Sequence, residues 1–363
     1  MRFPIVSYLR WAKAHPAARY DLARSGAAPC PASALGLTSR DLVVTLPVSD
    51  GYAPLRRAIA RRYGVDPEQV FTVSGGTSFA NWFACASVLD SAPADAEVIV
   101  ERPTYEPVLR VQEALGYRVR RLDRRLDEAY AIDLKRFESL VTKRTRLAIV
   151  TNLHNPSGTR IGIATLRTMA GMLRRVGAFL VVDEVYLECL FGSRTASCVH
   201  AGSNVIVSNS LTKAYGLDGL RAGWVLGPRE IVRRAWIIQD LLANNGVAAG
   251  EQMTLAALRR LPAIRRRAHA LLDPNLDRIR RFFDREKRLE AVVPEGGTVA
   301  FPRLPRGVDG ARFAKRLLTR YSTLVVPGSF FESPQHIRIS FGGPQRIVAA
   351  GLANISRALD EIA

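Results

Sequence analysis

Cysteine is scarce in this chain of 363 residues, and its few copies are widely spaced. No two of them form a pair such as Cys-x-x-Cys, which argues against a disulfide framework and a structural zinc site. We therefore expect no metal site and a reducing, cytoplasmic location. The four cysteines are Cys30, Cys85, Cys189 and Cys198.

Long hydrophobic runs are also missing. Residues Met1–Ser7 lead directly into the charged and aromatic stretch Tyr8–Lys13, so neither a signal peptide nor a membrane span is predicted. Because 48% of the residues are hydrophobic, the chain can bury a substantial core. We predict a globular protein that is not exported and has no membrane partner.

Acidic residues are few relative to basic ones, at 33 against 52, which gives a formal net charge of +19. Such an excess attracts the phosphates of nucleic acids. The basic residues are nevertheless scattered over many predicted helices, without the interleaved aromatic side chains on which bases stack. We expect no specific nucleic-acid partner.

Short β-branched runs alternate with amphipathic helical stretches from about residue 68 to residue 227. This alternation predicts an α/β fold, a three-layer sandwich with a mostly parallel seven-stranded sheet covered on both faces. The predicted helices span 77–90, 105–116, 163–176 and 228–244. The predicted strands are Val70–Val73, Glu97–Val100, Arg118–Leu122, Leu147–Asn152, Phe179–Asp183, Asn204–Ser208 and Ala222–Leu226.

A different organisation follows residue 262, where a long charged helical pattern leads into short strands ending near Ser340. We predict a smaller α+β domain built from both chain ends. The expected division is 1–45 for its N-terminal segment, 46–262 for the large domain, and 263–363 for an interdomain helix and the rest of the small domain.

The segment Ser208–Arg221 carries the most chemistry. It places Lys213, one of only six lysines, among hydroxyls and before Arg221. A lysine amine can form a Schiff base, while the hydroxyls of Ser208, Ser210 and Thr212 and the fork of Arg221 can bind phosphate. Pyridoxal 5′-phosphate is the cofactor that fits this arrangement.

Other residues could serve the same cofactor. Gly75, Gly76 and Thr77 join a strand to a helix, where backbone N–H groups favour an anion. Asp183, at a strand end, could hold the pyridine nitrogen protonated, although it could equally be a helix cap or strand-end ion pair, and Glu184 could take either role. The remaining candidates are Tyr186 and Asn155 for the phenolic oxygen, Tyr105 against the ring, and Arg338 for a substrate carboxylate.

Taken together and in this order, these residues resemble those of the class I/II aminotransferases, the fold type I pyridoxal-phosphate enzymes. The segment Gly51–Ala60 is similar to the family's Gly-x-x-x-Leu-Arg-x-Ala-Ile-Ala helix, and Leu22–Gly26 to the segment that covers the substrate. The resemblance implies catalytic roles for Lys213, Asp183 and Tyr186. It implies a phosphate site of Gly75, Gly76, Thr77, Ser210 and Arg221, a stacking ring in Tyr105, and substrate contacts by Gly26, Asn155 and Arg338.

The implied activity is transfer of an amino group between an α-amino acid and a 2-keto acid, in a homodimer. The chain departs from many relatives at Leu46–Asp50, where they place a tyrosine that reaches the neighbouring subunit's phosphate. Decarboxylases, lyases and cyclising amino-acid synthases use the same residues, so these reactions stay open. A non-catalytic DNA-binding regulator would need a recognition module, and no helix-turn-helix pattern precedes residue 50.

Overall fold

The computed structural model describes residues 3–15, 17–45, 49–90, 92–190 and 196–362. It confirms the predicted α/β class. The twelve strands of this part of the chain are β1 Tyr20–Asp21, β2 Val70–Ser74, β3 Glu97–Arg102, β4 Arg118–Asp123, β5 Thr145–Thr151, β6 Phe179–Asp183, β7 Val205–Asn209, β8 Ala222–Leu226, β9 Val299–Ala300, β10 Thr323–Leu324, β11 Val326–Pro327 and β12 Ile337–Ser340.

The α-helices connect these strands and cover the sheets. Those in the described ranges are α1 Ser7–Ala14, α2 Ala53–Tyr63, α3 Thr77–Leu89, α4 Glu106–Ala114, α5 Leu134–Leu140, α6 Ile163–Arg174, α7 Thr212–Tyr215, α8 Arg229–Leu242, α9 Ala248–Arg259, α10 Leu261–Arg285, α11 Gly310–Tyr321 and α12 Gln345–Asp360. Within the ranges given above, no helix combines the length and the apolar character that crossing a membrane requires.

The central sheet has seven strands in the order β2-β8-β7-β6-β5-β3-β4. Strand β8 is antiparallel to both neighbours, while the remaining pairs are parallel. Side chains alternate across the sheet, so that Leu180 and Val182 of β6 enter one apolar core and Val181 enters the other. Helices α2, α6 and α9 cover the first face, and α3 and α8 cover the second, as expected for three layers.

A second cluster of elements joins the two ends of the chain. Strand β1 pairs with β10, and β11, β12 and β9 form a three-stranded antiparallel sheet. Leu22, next to β1, is fully buried in a core otherwise built from residues 279 to 359. The 25-residue helix α10 connects this cluster to the large sheet. The exact domain boundaries stay predictions.

Candidate active site

The site lies at the carboxyl ends of β5, β6 and β7. Parallel strands end at one edge of a sheet, and their connecting loops meet there. Asn155 follows β5, Asp183 ends β6, and Lys213 follows β7 in the short helix α7. The register pairs Thr151 with Asp183 and Asp183 with Ser208, so these three strands end side by side.

Asp183 is a buried carboxylate with hydrogen-bond donors on both oxygens. Its Oδ2 accepts from Nδ2 of Asn81 at 2.8 Å, and its Oδ1 accepts from the backbone N–H of Val185 at 3.0 Å. Burial raises the pKa of Asp183 to about 6, although these donors and the positive charge of Lys213 act in the opposite direction. The carboxylate is therefore held in a fixed orientation, close to its titration range.

Lys213 is partly buried, and its amine lies inside the site. Its Nζ donates to the Oγ of Ser25 at 2.8 Å. Burial lowers the pKa of Lys213 to about 8, and the positive charge of Arg338 adds to this effect, whereas Asp218 and Asp183 oppose it. A lysine with this pKa is unprotonated far more often near neutral pH than one with the usual pKa of 10.5, which makes it a usable nucleophile and base.

Gly26 and Tyr186 lie against the same lysine. A Cβ added to Gly26 would meet the Cδ of Lys213 at 3.4 Å, so a small residue leaves room for that side chain. Tyr186 is buried, and this burial raises the pKa of its hydroxyl, while a hydrogen bond with Ser25 and the charge of Arg338 oppose the rise. Gly26 therefore packs against the stem of Lys213, and Tyr186 is connected to its amine through Ser25.

A small cradle forms where β2 turns into α3. Gly75 and Gly76 have φ values of +136° and +71°, which side-chain-bearing residues rarely adopt, and both N–H groups point to the carbonyl of Arg221. The hydroxyl of Thr77, at the start of α3, lies 2.7 Å from that of Ser210, which in turn contacts Thr212. The structure thus groups these hydroxyls with a helix N-terminus.

Arg221 closes this cradle from the start of β8. Its Nη2 donates to the carbonyl of Gly75 at 2.5 Å, and its side chain is otherwise exposed. A Cβ on Gly76 would lie 3.5 Å from the same nitrogen, so the glycine keeps the space beside the guanidinium open. One guanidinium, clustered hydroxyls and the N-terminus of a 13-residue helix suit a phosphate dianion.

Arg338 is the most deeply buried charge of the site, with no exposed surface. It donates to Oδ1 of Asn155 at 3.2 Å, to the hydroxyl of Tyr8 at 2.8 Å and to the carbonyl of Ala23 at 2.9 Å, and its Nε has no partner. All these acceptors are neutral. Among the described residues no carboxylate pairs with it, which suits an anion brought by a ligand.

Tyr105 caps α4 beside this group. Its ring lies edge-on to that of Tyr8 with a centroid distance of 5.6 Å. Burial raises the pKa of its hydroxyl, and the charges that act on it include Arg338, Asp183 and Arg221. The ring is therefore located between the buried arginine, the carboxylate and the cradle.

Two expectations about neighbouring side chains were wrong. The hydroxyl of Ser208 does not join the cradle, because it is fully buried and donates to Oδ1 of Asn81. Glu184 faces away from Lys213, since its Oε1 accepts from the backbone N–H of Cys198 at 2.7 Å and it lines a separate cavity. Successive residues of an extended chain point to opposite sides, so of these two acids only Asp183 lies on the side of the site, where its charge acts on the Lys213 amine.

Three residues of the site were not predicted from the sequence, namely Asn81, Ser25 and Tyr8. Asn81 follows Thr77 by one helical turn in an otherwise small and apolar stretch, and this buried polar position was a usable signal. Ser25 stands beside Gly26, which was singled out. Tyr8 is 330 positions from the arginine that it contacts, and nothing local indicates that pairing. Residues 46–48, part of the noted departure, lie outside the described residues.

These groups match a phosphorylated pyridine aldehyde. The amine of Lys213, the hydrogen-bonded carboxylate of Asp183 and the cradle of Thr77, Ser210 and Arg221 could hold the aldehyde, the ring nitrogen and the phosphate, respectively. Metal ligands are not grouped in this way, because the described ranges contain no cluster of three His, Cys, Asp or Glu side chains. The fold and the site together define a fold type I pyridoxal-phosphate enzyme.

Comparison with known proteins extends this assignment. The sequence profile of the family described as "Aminotransferase class I and II" matches residues 36–355. The chain belongs to this family, and its cofactor is pyridoxal 5′-phosphate.

Relatives with different reactions occur among the similar proteins. Capreomycidine synthase of Streptomyces vinaceus is 30% identical over 314 residues, covering 84% of this chain and 78% of that protein. Arginine–pyruvate transaminase AruH of Pseudomonas aeruginosa is 29% identical over 312 residues, covering 80% and 76%. The specific reaction is therefore open within the family.

Similar solved structures also include both a cyclase and an aminotransferase. A structure of the PLP-dependent cyclase OrfR has a TM-score of 0.89 and 28% identity, covering 100% of this chain and 99% of that one. A PLP-dependent aminotransferase from Streptococcus suis has a TM-score of 0.92, covers the same shares, and at 23% identity supports the fold alone.

Proposed function

We propose that this protein is an aminotransferase that moves an amino group between an α-amino acid and a 2-keto acid. One observation carries the proposal. The amine of Lys213, with its pKa lowered to about 8, shares a site with the carboxylate of Asp183 and with the buried, carboxylate-free guanidinium of Arg338. An amine, an acid and an anion receptor are what an α-amino acid and a pyridine cofactor need together.

Each residue has a proposed task. When bound, pyridoxal phosphate supplies an aldehyde carbon and an electron-withdrawing ring. Lys213 would hold that carbon, Asp183 would pair with the ring nitrogen, and Tyr105 would cover the ring. Asn155 and Tyr186 would bind the phenolic oxygen. Thr77, Ser210 and Arg221 would hold the phosphate, and Gly75 and Gly76, whose N–H groups bond the carbonyl of Arg221, would leave room for it.

The substrate side of the site rests on Arg338 and Lys213. Arg338 binds the α-carboxylate and so fixes the substrate in one orientation, with Asn155 and Gly26 beside it. The amine of Lys213, when it is not holding the cofactor, would remove the proton from the substrate Cα. As a general acid it would then return the proton to the carbon that the aldehyde supplies. Its lowered pKa lets both forms exist near neutral pH.

A cyclising amino-acid synthase is the second candidate. The similarity to capreomycidine synthase and to the cyclase OrfR, at 30% and 28% identity, favours it specifically. The same Lys213 base would remove the Cα proton in either reaction, and the groups around the substrate side chain would decide which bond forms or breaks next. Lyase and decarboxylase activities are further members of this alternative.

The test is to mix the cofactor-loaded protein with a panel of L-amino acids and record the cofactor's visible absorbance, keto acid and ammonia. Keto-acid formation coupled to conversion of the cofactor to its amine form supports amino transfer. Ammonia or a cyclic product without that conversion supports the second candidate instead. Lys213→Ala should abolish turnover, whereas Lys143→Ala, at an exposed lysine, should not. A fully active Lys213→Ala protein contradicts the assignment of the base.

We also propose that the protein is a homodimer and is located in the cytoplasm. Exposed apolar side chains support self-association, and Phe79 among them lies directly against Gly75 of the cradle. Light scattering should give twice the chain mass, and Leu241→Asp should shift it toward the monomer; a monomeric wild type refutes this part. The large exposed apolar side chains of the described residues are Phe3, Ile5, Val43, Val44, Phe79, Ile163, Ile237, Leu241, Leu242, Val247 and Val293.

A further inference from the structure

The cavity that contains Lys213 carries two carboxylates at its opening. It has a volume of about 240 Å³ and is lined by Asp21 and Asp218 together with Trp11, His15 and Arg24. None of these residues has a task in the chemistry proposed above. The cavity also includes Tyr8 and Ala23, two of the three groups that accept hydrogen bonds from Arg338, so a ligand held by that arginine enters the same space.

Asp218 is close enough to act on the catalytic amine. Its negative charge raises the pKa of Lys213 more than that of Asp183 does. Its only ion pair among the described residues is with Arg24 at 3.7 Å, and the two side chains are 55% and 60% exposed. Such an exposed, loose pair contributes little, so a ligand cation can replace Arg24 at small cost.

Asp21 faces the cavity from the end of β1. Its Oδ1 accepts from the backbone N–H of Ala23 at 2.8 Å, which fixes the carboxylate next to the Arg338 site. Its charge also reaches His15, because it opposes the fall that burial causes in the pKa of that ring. Asp21 and His15 therefore lie close enough to interact in the lining of the same cavity.

Acidic side chains outnumber basic ones in the non-catalytic lining of this cavity, although the whole protein is strongly basic. The chain has 52 basic and 33 acidic residues, so a random surface cavity would be lined mainly by arginine. Here two acids face one arginine outside the catalytic groups. Trp11 adds an aromatic ring, whose face attracts cations.

We infer that the amino-acid substrate has a cationic side chain, a guanidinium or an ammonium, which Asp218 and Asp21 bind. This inference rests on the proposed function, since it assumes an α-amino acid with its carboxylate on Arg338. The substrate's positive end then displaces Arg24 from Asp218 and lies beside Trp11. Neutral side chains of the same length lose these ionic hydrogen bonds.

The experiment titrates the cofactor-loaded protein with matched pairs of amino acids and follows the cofactor's absorbance. L-Citrulline replaces the guanidinium of L-arginine by a neutral urea of nearly the same shape, and L-norleucine replaces the ammonium of L-lysine. We expect at least one cationic member to half-saturate at roughly tenfold lower concentration than its neutral partner. Which cationic member is preferred separates a guanidinium site from an ammonium site.

Substitutions at Asp218 and Asp21 test whether these carboxylates bind the cationic side chain. Asp218→Asn should remove most of the preference, because the cationic ligand loses its counter-charge while any change at Lys213 affects both ligands alike. Asp21→Asn should act in the same direction, and Asp218→Glu should keep the preference. Asp277→Asn, at an exposed carboxylate of α10 paired with Arg280, is the control and should change nothing.

Two outcomes overturn the inference in distinguishable ways. Equal responses to the charged and neutral members of both pairs, with the cofactor still converted, refute the cationic side chain and leave the proposed function intact. No response to any amino acid refutes the proposed function, and with it the inference. A preference that survives Asp218→Asn and Asp21→Asn together also refutes the assigned residues.

Discussion

Two fully buried arginine side chains lie in this protein in opposite circumstances. Arg124 donates from Nη1 to Glu101 at 2.7 Å, from Nε to the carbonyl of Tyr130 at 2.7 Å and from Nη2 to Thr159 at 3.2 Å. Its carboxylate partner is equally buried. Arg338 has only neutral acceptors and leaves its Nε unpaired.

The difference separates a charge that the fold itself neutralises from one that, on the proposed function, a substrate carboxylate would neutralise. Taking a guanidinium out of water costs free energy, and a buried carboxylate offsets much of that cost only when it is part of the fold. The Arg124 region is complete in this respect. The Arg338 region is not, and an α-carboxylate would complete it.

The largest effect should come from breaking the complete pair. Glu101→Gln keeps the shape of the side chain but leaves Arg124 buried without a counter-charge, so the free energy of unfolding should fall by about 3–5 kcal/mol. Urea denaturation measures this. Asp123→Asn is the control, because its partner Arg102 is 43% exposed, and it should lower stability by less than about 1 kcal/mol. Equal effects of both substitutions would contradict the structural role of Arg124.

Removing the other arginine should affect binding instead of folding. Arg338→Met strands no charge among the described residues, so its unfolding free energy should stay far closer to that of the wild type than does the Glu101→Gln value. Substrate binding should weaken by about 2–5 kcal/mol, because the ligand carboxylate loses its partner in a buried site. Half-saturation with amino acids, read from the cofactor's absorbance, measures this. Unchanged affinity would remove Arg338 from the substrate site.

A third test concerns Lys213, which is partly buried. In the cofactor-free protein, Lys213→Met should raise the free energy of unfolding by on the order of 2–3 kcal/mol below pH 8, because the folded state no longer holds a poorly solvated ammonium. The pKa of Lys213 falls from its usual 10.5 to about 8 on folding. The unfolded chain therefore binds more protons between these values, so wild-type stability rises with pH there.

The advantage of Lys213→Met should accordingly shrink above pH 8 and vanish near pH 10.5. Denaturation curves across this range test the sign directly. Lys143→Met, at an exposed lysine, should show no such trend. A constant difference at all pH values would mean that packing, and not the charge, causes the change.

The sequence predicted the large sheet well because most of its strands are buried on both faces, the edge strand β4 being the exception. Continuous apolar runs, such as the one in Phe179–Asp183, identify such strands. The predicted bounds of this strand and of Ala222–Leu226 are those observed, and the ends of the other predicted strands agree within two residues. The grouping of Asn155, Asp183 and Lys213 followed from one rule, that parallel strands end at one edge.

Side-chain direction and distant contacts could not be obtained in the same way. Asp183 and Glu184 are adjacent acids, and only the register of β6 with its neighbours decides which one faces the amine. The contact of Arg338 with Tyr8 joins the two ends of the chain through the pairing of short strands. Two-residue strands such as β1 carry too little pattern to be recognised from sequence.

The smallest expected effect concerns Asp183, the carboxylate of the site. Asn81→Leu removes the donor to Asp183, so the pKa of Asp183 should rise from about 6 by about one unit. Its folded pKa already exceeds the usual 3.8, which means that the folded state binds the extra proton and that stability from this group declines as pH rises from 3.8 to 6. In the variant the decline should continue to about pH 7, adding a loss of about 1 kcal/mol. Asn354→Leu removes a buried amide that bonds Thr323 and no carboxylate, and should lower stability equally across that range. Parallel pH curves for the two variants would show that Asn81 does not act on Asp183.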